Sequence, residues 1–204
     1  MRASARDSES LLVERIPVTV SEHHVHLTQD TIEQLFCDKY RLHEESRIAE
    51  HTQFAARESV TLVGPRGRIA NVRVIGPARG ENQVEISGVD AHVLGIDAPA
   101  RQPGDLRNTP GICIEGPRSC VRLDHGVIRT LRHIHMHSAD AERRGLRDGD
   151  RIDVSGEDEQ GCTLFRDVPV RVSPAFQSEL HLDADDGKAA GLSSGAFVAI
   201  KVKA

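Results

Sequence analysis

The amino-acid sequence predicts a mainly β protein built as two small β-barrels with a few short capping helices. Three observations carry that prediction. Period-two alternation of apolar residues dominates the chain, Gly and Pro turns punctuate it, and one local pattern occurs once in each half. At 204 residues the chain is long enough to bury one large core or two small ones.

In chain order the expected strands are 16–20, 60–63, 69–75, 84–86, 112–114, 152–154, 168–172, 180–182 and 197–202. Two turns share a Gly-Pro-Arg core, Val63-Gly64-Pro65-Arg66-Gly67 and Glu115-Gly116-Pro117-Arg118-Ser119, and support an internal duplication. A further unit runs helix, Gly-Leu-x-x-Gly, strand. It occurs at Gly145-Leu146-Arg147-Asp148-Gly149 and at Gly191-Leu192-Ser193-Ser194-Gly195, where the first Gly reads as a helix C-cap and the second as a turn. Helices are also expected after two short histidine segments. One begins near Asp30-Thr31-Ile32-Glu33 and the other near Ser138-Ala139-Asp140.

Those histidine segments are Glu22-His23-His24-Val25-His26-Leu27 and Leu131-Arg132-His133-Ile134-His135-Met136, each a basic residue followed by His-x-His. In an extended strand His24 and His26 project from one face about 6.6 Å apart, as do His133 and His135. Two imidazoles on one strand face need one more donor to make an open metal site. An isolated His-x-His is commonly a solvated pair, so the recurrence carries the argument. Third donors stand in matching contexts, Glu85 within Gln83-Val84-Glu85-Ile86-Ser87 and His181 within Glu179-Leu180-His181-Leu182-Asp183. Near Glu85, the Gly76-Pro77-Ala78-Arg79 turn presents a guanidinium that can grip phosphate bidentately beside a Lewis acid.

Composition excludes several other classes. The formal charge is −5 and the 26 Lys plus Arg are scattered, so nucleic acid and anionic membrane are not expected partners. Cys37, Cys113, Cys120 and Cys162 lack C-x-x-C spacing, so no disulfide framework is expected and a reducing compartment fits. Leu11-Leu12-Val13 is far shorter than a secretory or membrane-spanning run, which predicts a cytoplasmic protein. Residues 1–14 read as a mobile tail. Gly191-Leu192-Ser193-Ser194-Gly195 matches the G-x-S-x-G elbow of hydrolases, but neither an acidic residue nor a His follows it. Neither a P-loop nor G-x-G-x-x-G is present.

Five ordered runs resemble the phosphate propanoyltransferases, the propanediol-utilisation type phosphotransacylases of bacterial microcompartments. They are His24-Val25-His26-Leu27; Gly64-Pro65-Arg66-Gly67-Arg68 with Val72-Arg73-Val74-Ile75-Gly76-Pro77-x-Arg79; Gln83-Val84-Glu85-Ile86-Ser87; Arg132-His133-Ile134-His135-Met136; and Leu180-His181-Leu182-Asp183. The resemblance covers roughly residues 16–202.

It implies two barrels, with residues 15–22 and 131–204 in the first and 23–130 in the second, which carries a small insertion near 37–58. The N-terminal strand would pack into the C-terminal barrel. Two zinc ions would lie between them, one on His24, His26 and Glu85, the other on His133, His135 and His181. Arg79 would bind phosphate, and Ser21 and Arg73 would contact CoA. The reaction implied is the reversible exchange of the CoA of a short acyl-CoA, propanoyl-CoA or acetyl-CoA, for inorganic phosphate. A homodimer and enclosure in a microcompartment, with shell or cargo partners, are also implied. This chain has His23 where the family usually has Arg, and Lys188 where it usually has Asn; Lys188 can pair with a CoA phosphate. The pattern leaves two other readings open. One is a dinuclear zinc thioester hydrolase, and the other a catalytically retired zinc-binding paralogue or microcompartment cargo protein. His and carboxylate donors also serve cobalt or iron.

Overall fold

The computed structural model describes residues 11–48, 52–158 and 161–203. In chain order the elements are β1 (Leu11–Ser21), β2 (His24–His26), α1 (Gln29–Leu35), β3 (Glu44–Arg47), β4 (Phe54–Val63), β5 (Arg68–Gly76), β6 (Gln83–Ile86), α2 (Gly88–Leu94), β7 (Ala100–Arg101), β8 (Ile112–Glu115), β9 (Cys120–Leu123), β10 (Val127–Thr130), β11 (His133–His137), α3 (Ser138–Arg143), β12 (Arg151–Asp158), β13 (Gly161–Ser173), β14 (Glu179–Asp183), α4 (Ala184–Ala189) and β15 (Phe197–Lys203). Every expected strand falls within one of these. The short β3, β7, β9 and β10 carry too few alternating apolar residues to signal themselves.

Six strands close into a barrel in the order β1-β14-β11-β13-β12-β15, so the N-terminal strand does pack into the C-terminal barrel. The second sheet runs β7-β10-β6-β2-β5-β4-β8-β9, with β3 beside β4, and curls into a half-barrel. Its central strands reproduce the barrel order one for one. β10, β6, β2, β5, β4 and β8 take the places of β1, β14, β11, β13, β12 and β15, with the same parallel and antiparallel senses. In the barrel β15 pairs with β1 and closes the ring, whereas β8 pairs outward with β9 and β10 with β7.

Two cores follow from this layout. Val25, Leu27, Ile32, Leu35, Leu62 and Val74 fill the half-barrel, and Ile16, Ile134, Met136, Leu180, Leu182 and Ile200 fill the barrel. Each such side chain contributes roughly 1.5–3 kcal/mol by leaving water. The apolar members of the chelating segments, Val25, Leu27, Ile134 and Met136, are all fully buried, so each chelating strand is anchored by its other face.

Of the two helices that follow the histidine segments, α3 begins at Ser138 as expected and α1 begins at Gln29, one residue earlier than expected. Thr28 caps α1 by accepting the Thr31 N–H, and His137 Nδ1 caps α3 by accepting the Ala139 N–H. Asp30 and Asp140 instead sit in the first turns, where a carboxylate complements the helix dipole. Both Gly-Pro-Arg turns dock on helix ends: Arg66 N–H donates to Leu94 O and Arg118 N–H to Leu35 O. A Cβ on Gly64 would stand 2.2 Å from Leu94 O, so only Gly fits that approach.

Two expectations are corrected. Cys113 and Cys120 form a disulfide, contrary to the reading that the cysteines give no framework. The β8–β9 hairpin brings their Cα atoms to 6.5 Å, a pairing across strands that no short motif announces. Leu11–Glu14, read as the end of a tail, pair with β15, which extends β1 toward the N-terminus; residues 1–10 of that tail lie outside the described residues.

Candidate metal centre

The chain crosses between the two sheets twice, and each crossing delivers one chelator. β1 leaves the barrel and continues as β2 in the half-barrel; β10 leaves the half-barrel and continues as β11 in the barrel. In each sheet the chelating strand has an antiparallel neighbour that places the third donor directly opposite the first histidine. His24 faces Glu85 across β2 and β6, and His133 faces His181 across β11 and β14. The donor atoms of each set lie within 4.8 Å of one another.

In the first set His24 Nε2 and His26 Nε2 stand 3.5 and 3.4 Å from Glu85 Oε1. In the second, His133 Nε2 and His135 Nε2 are 3.2 Å apart, and the His133 and His181 rings stack with centroids 5.0 Å apart. Donors about 2.0–2.2 Å from a shared tetrahedral ion would be roughly 3.3–3.5 Å from one another, so the spacing fits a divalent metal. Orientation repeats as well. His24 Nδ1–H donates to Glu22 O at 2.9 Å and His133 Nδ1–H to Leu131 O at 2.8 Å, which leaves each Nε2 lone pair directed into the site. His26 Nδ1 is buried with no hydrogen-bond partner among the described residues.

The electrostatics suit metal binding. Burial pushes the His26 and His133 rings down to about 4, and burial with the neighbouring His181, His133 and Arg171 charges pushes His135 down to about 2. These rings therefore stay neutral, the form that ligates. Burial works against the charged forms of His24 and Glu85, but their mutual attraction outweighs it, raising His24 and holding Glu85 well below the usual carboxylate range. Thr130 Oγ1 also donates to Glu85 Oε2 at 2.5 Å.

Both donor sets open onto one cavity of about 620 Å³ between the sheets. Arg79, Ser21 and Arg73 line it too. Arg79 Nη2 donates to Gln53 Oε1 at 2.7 Å, and its backbone N–H donates to Leu27 O just beyond the first chelator. Arg73 is held by the Glu45 carboxylate and by Ala56 O at 2.8 Å. Lys188 lies elsewhere, exposed in the last turn of α4 and outside the cavity lining. His23 meets Asp90 at 3.3 Å, whereas Arg132 in the other copy grips Asp186 with two bonds of 2.9 and 2.8 Å.

Sequence reasoning missed Arg171, Phe176, Gln83 and Glu179. Arg171 sits opposite His135 in the β11–β13 register, lines the cavity and lies over the Phe176 ring, which itself stacks on His135 at 3.9 Å. Its signal was available: Val170-Arg171-Val172 alternates like Val84-Glu85-Ile86.

Comparison with known proteins shows the family to which the chain belongs. Residues 17–193 match the sequence profile of the phosphate propanoyltransferases. The chain is 46% identical over 185 residues to a phosphate propanoyltransferase of Thermotoga maritima, covering 91% of this chain and 88% of that one. It is 43% identical to that of Rhodopseudomonas palustris, over 91% of this chain and 82% of the relative. Against that of Salmonella typhimurium it is 43% identical, over 86% and 83%.

Proposed function

We propose that this chain, which belongs to the phosphate propanoyltransferase family, is a zinc-dependent phosphotransacylase. It would exchange the CoA of a short acyl-CoA, propanoyl-CoA or acetyl-CoA, for inorganic phosphate in a reversible reaction. The observation that carries the reading is two three-donor sets opening on one cavity that also holds Arg79. His24, His26 and Glu85 would hold one zinc ion, and His133, His135 and His181 the other. When bound there, zinc supplies Lewis-acid polarisation of a thioester carbonyl and a soft partner for a departing thiolate.

The remaining chemistry belongs to the chain. A phosphate oxygen attacks the thioester carbonyl carbon, a C–O bond forms, the C–S bond breaks, and its electron pair leaves with sulfur. Phosphate approaches as an anion, so its charge must be offset and its path held. Arg79, whose backbone N–H donates to Leu27 O, would do both. Arg171, on the other side of the cavity, adds a second cationic fork. Ser21 and Arg73 at the cavity wall support a CoA seat, and the Arg73–Glu45 pair would have to open for phosphate groups of CoA to use that guanidinium. Lys188, outside the cavity, would meet only the distal end of CoA. A homodimeric state and enclosure in a microcompartment carry over from the family resemblance as parts of this proposal.

The test is to load the purified protein with zinc, supply propanoyl-CoA or acetyl-CoA with and without phosphate, and follow free thiol and acyl phosphate together. Phosphate-dependent release of both supports the reading. Thiol release that ignores phosphate points to a hydrolase, and no release from either substrate with two ions bound rejects catalysis.

A further inference from the structure

The chelating strands carry a second repeat. Two residues before the third donor, on the same face of the same strand, stand Gln83 in one half and Glu179 in the other. Gln83 lies opposite His26 in the β2–β6 register, and Glu179 lies opposite His135 in the β11–β14 register. Each site is therefore a square of four side chains. The corners are His24, His26, Gln83 and Glu85 in the first, and His133, His135, Glu179 and His181 in the second.

In each square the extra corner touches the third donor. Gln83 Nε2 donates to Glu85 Oε1 at 2.5 Å, and His181 Nε2 lies 3.0 Å from Glu179 Oε1. A threonine from the strand beyond completes both. Thr130 donates to Glu85 Oε2, and Thr19 donates to Glu179 Oε2 at 2.7 Å. Each square thus holds one carboxylate, and the two squares put it at different corners: the donor corner in the first, the supporting corner in the second.

Glu179 is 5% exposed, and among the described residues neither a lysine nor an arginine forms an ion pair with it. A carboxylate that deeply buried is costly unless an opposite charge offsets it. The Thr19 hydroxyl that touches it does not supply that charge. A divalent cation on the three imidazoles beside it would.

We propose that Glu179 is a positioning residue of the second metal centre, supplying there the negative charge that Glu85 supplies to the first by direct coordination. Each cation then faces one carboxylate, and Gln83 stays neutral because its square already has one. The inference rests on the reading that both donor sets hold zinc.

The experiment strips the wild type, Glu179→Gln and Gln83→Glu with a chelator, titrates zinc back by calorimetry, and counts bound metal by mass spectrometry. The wild type should take two ions. Glu179→Gln should weaken one of them about 10- to 100-fold and leave the other unchanged. In a His181→Ala background, Glu179→Gln should change nothing further. Thermal unfolding of the metal-free Glu179→Gln protein should occur no lower than that of the metal-free wild type, because the carboxylate is offset only by the cation. Glu179→Asp, which keeps the charge, should fall between; it also serves if the Gln variant does not fold.

Two unchanged zinc affinities in Glu179→Gln would overturn the assignment. So would a loss confined to metal-free stability, which would make Glu179 a strand clamp through Thr19, or a wild type that takes up no zinc. The thiol assay separates the two readings. Shifted affinity without phosphate-dependent turnover sinks only the reaction, and intact turnover with unshifted affinity sinks only the role of Glu179.

Discussion

The His24 half and the His133 half solve one construction problem with partly different side chains. Each places a His-x-His strand between a parallel and an antiparallel neighbour and sets the third donor opposite the first histidine. Each starts a short helix from an N-cap two residues past that donor, Ser87 or Asp183. Each also sets an aspartate five residues past it, Asp90 or Asp186, against the basic residue before the chelator. The donor itself differs, Glu85 against His181, and so does its supporting neighbour. Register therefore fixes where a donor stands, while residue type at that place remains adjustable. The larger difference lies outside the squares. The His133 half is a closed barrel, whereas the His24 half stays open and carries the segment that holds Arg73 through Glu45 and Arg79 through Gln53. One half is a closed ring of strands and the other presents most of the charged groups that line the cavity.

If both squares are needed for one reaction, deleting a donor from either should be equally damaging. His26→Ala and His133→Ala should each drop bound zinc from two ions to one while leaving the other site loaded. Each should also cut phosphate-dependent thiol release about a thousand-fold, equivalent to several kcal/mol of charge stabilisation. A variant with one ion and near-normal turnover would mean that the halves are chemically unequal. Next in size is Arg79→Met, expected to lower turnover about 10²- to 10³-fold with both ions retained. Arg171→Met, in the closed half, should instead raise the KM for phosphate more than it lowers kcat. Equal kcat losses in both variants would assign the two arginines the same task.

The correspondence of the halves was only partly legible in the sequence. The two His-x-His segments, Glu85 and His181 announced themselves because period-two alternation puts donors on one face, and that rule needs no tertiary information. Other repeats pointed to duplication for the wrong reason. Both Gly-Pro-Arg turns belong to hairpins of the half-barrel, and both Gly-Leu-x-x-Gly units join helix to strand within the barrel. They recur because the same turn chemistry suits the same local junction, with Gly145 and Gly191 each at φ 63°. The true counterparts, β5 with β13 and α2 with α4, share their place in the sheet order but little sequence beyond Val72-Arg73-Val74 and Val170-Arg171-Val172, and even there the register differs, Arg73 lying opposite His24 and Arg171 opposite His135. Gln83 and Glu179 escaped notice because a polar residue next to a donor strand carries no signal until its cross-strand neighbour is known. Cys113 and Cys120 were hidden similarly by a hairpin whose register the sequence does not print.

The open half can be loosened without touching its metal square. Glu58 on β4 is buried and accepts from the Tyr40 hydroxyl at 2.9 Å, the His43 ring at 2.7 Å and the His43 N–H at 3.1 Å, tying down the chain before β3. Burial alone would raise its pKa, but these donors outweigh it and hold the carboxyl below the usual 4.5. A depressed carboxyl stabilises the fold fully above its unfolded pKa, and that contribution is lost as pH falls through the folded value. Glu58→Gln should therefore cost about 1–3 kcal/mol near neutral pH. The gap from wild type in thermal unfolding should close below pH 4.5. A gap that stays constant into acid would show that shape, not charge, holds the segment.

The smallest test compares the two caps. Ser87 accepts the Asp90 N–H while Asp90 accepts the Ser87 N–H, a reciprocal box, whereas Asp183 accepts the Asp186 N–H alone. Ser87→Ala and Asp183→Ala should each cost about 1 kcal/mol, measured by denaturant unfolding of the metal-free protein. Ser87→Asp should keep most of the stability, since the carboxylate caps as well as the hydroxyl does. Neither alanine variant should change the number of bound ions, because Glu85 and His181 are held by strand register two residues earlier. If Ser87→Ala also loses a zinc ion, the first square depends on its helix in a way the second does not, and the equivalence of the halves would end at the strands.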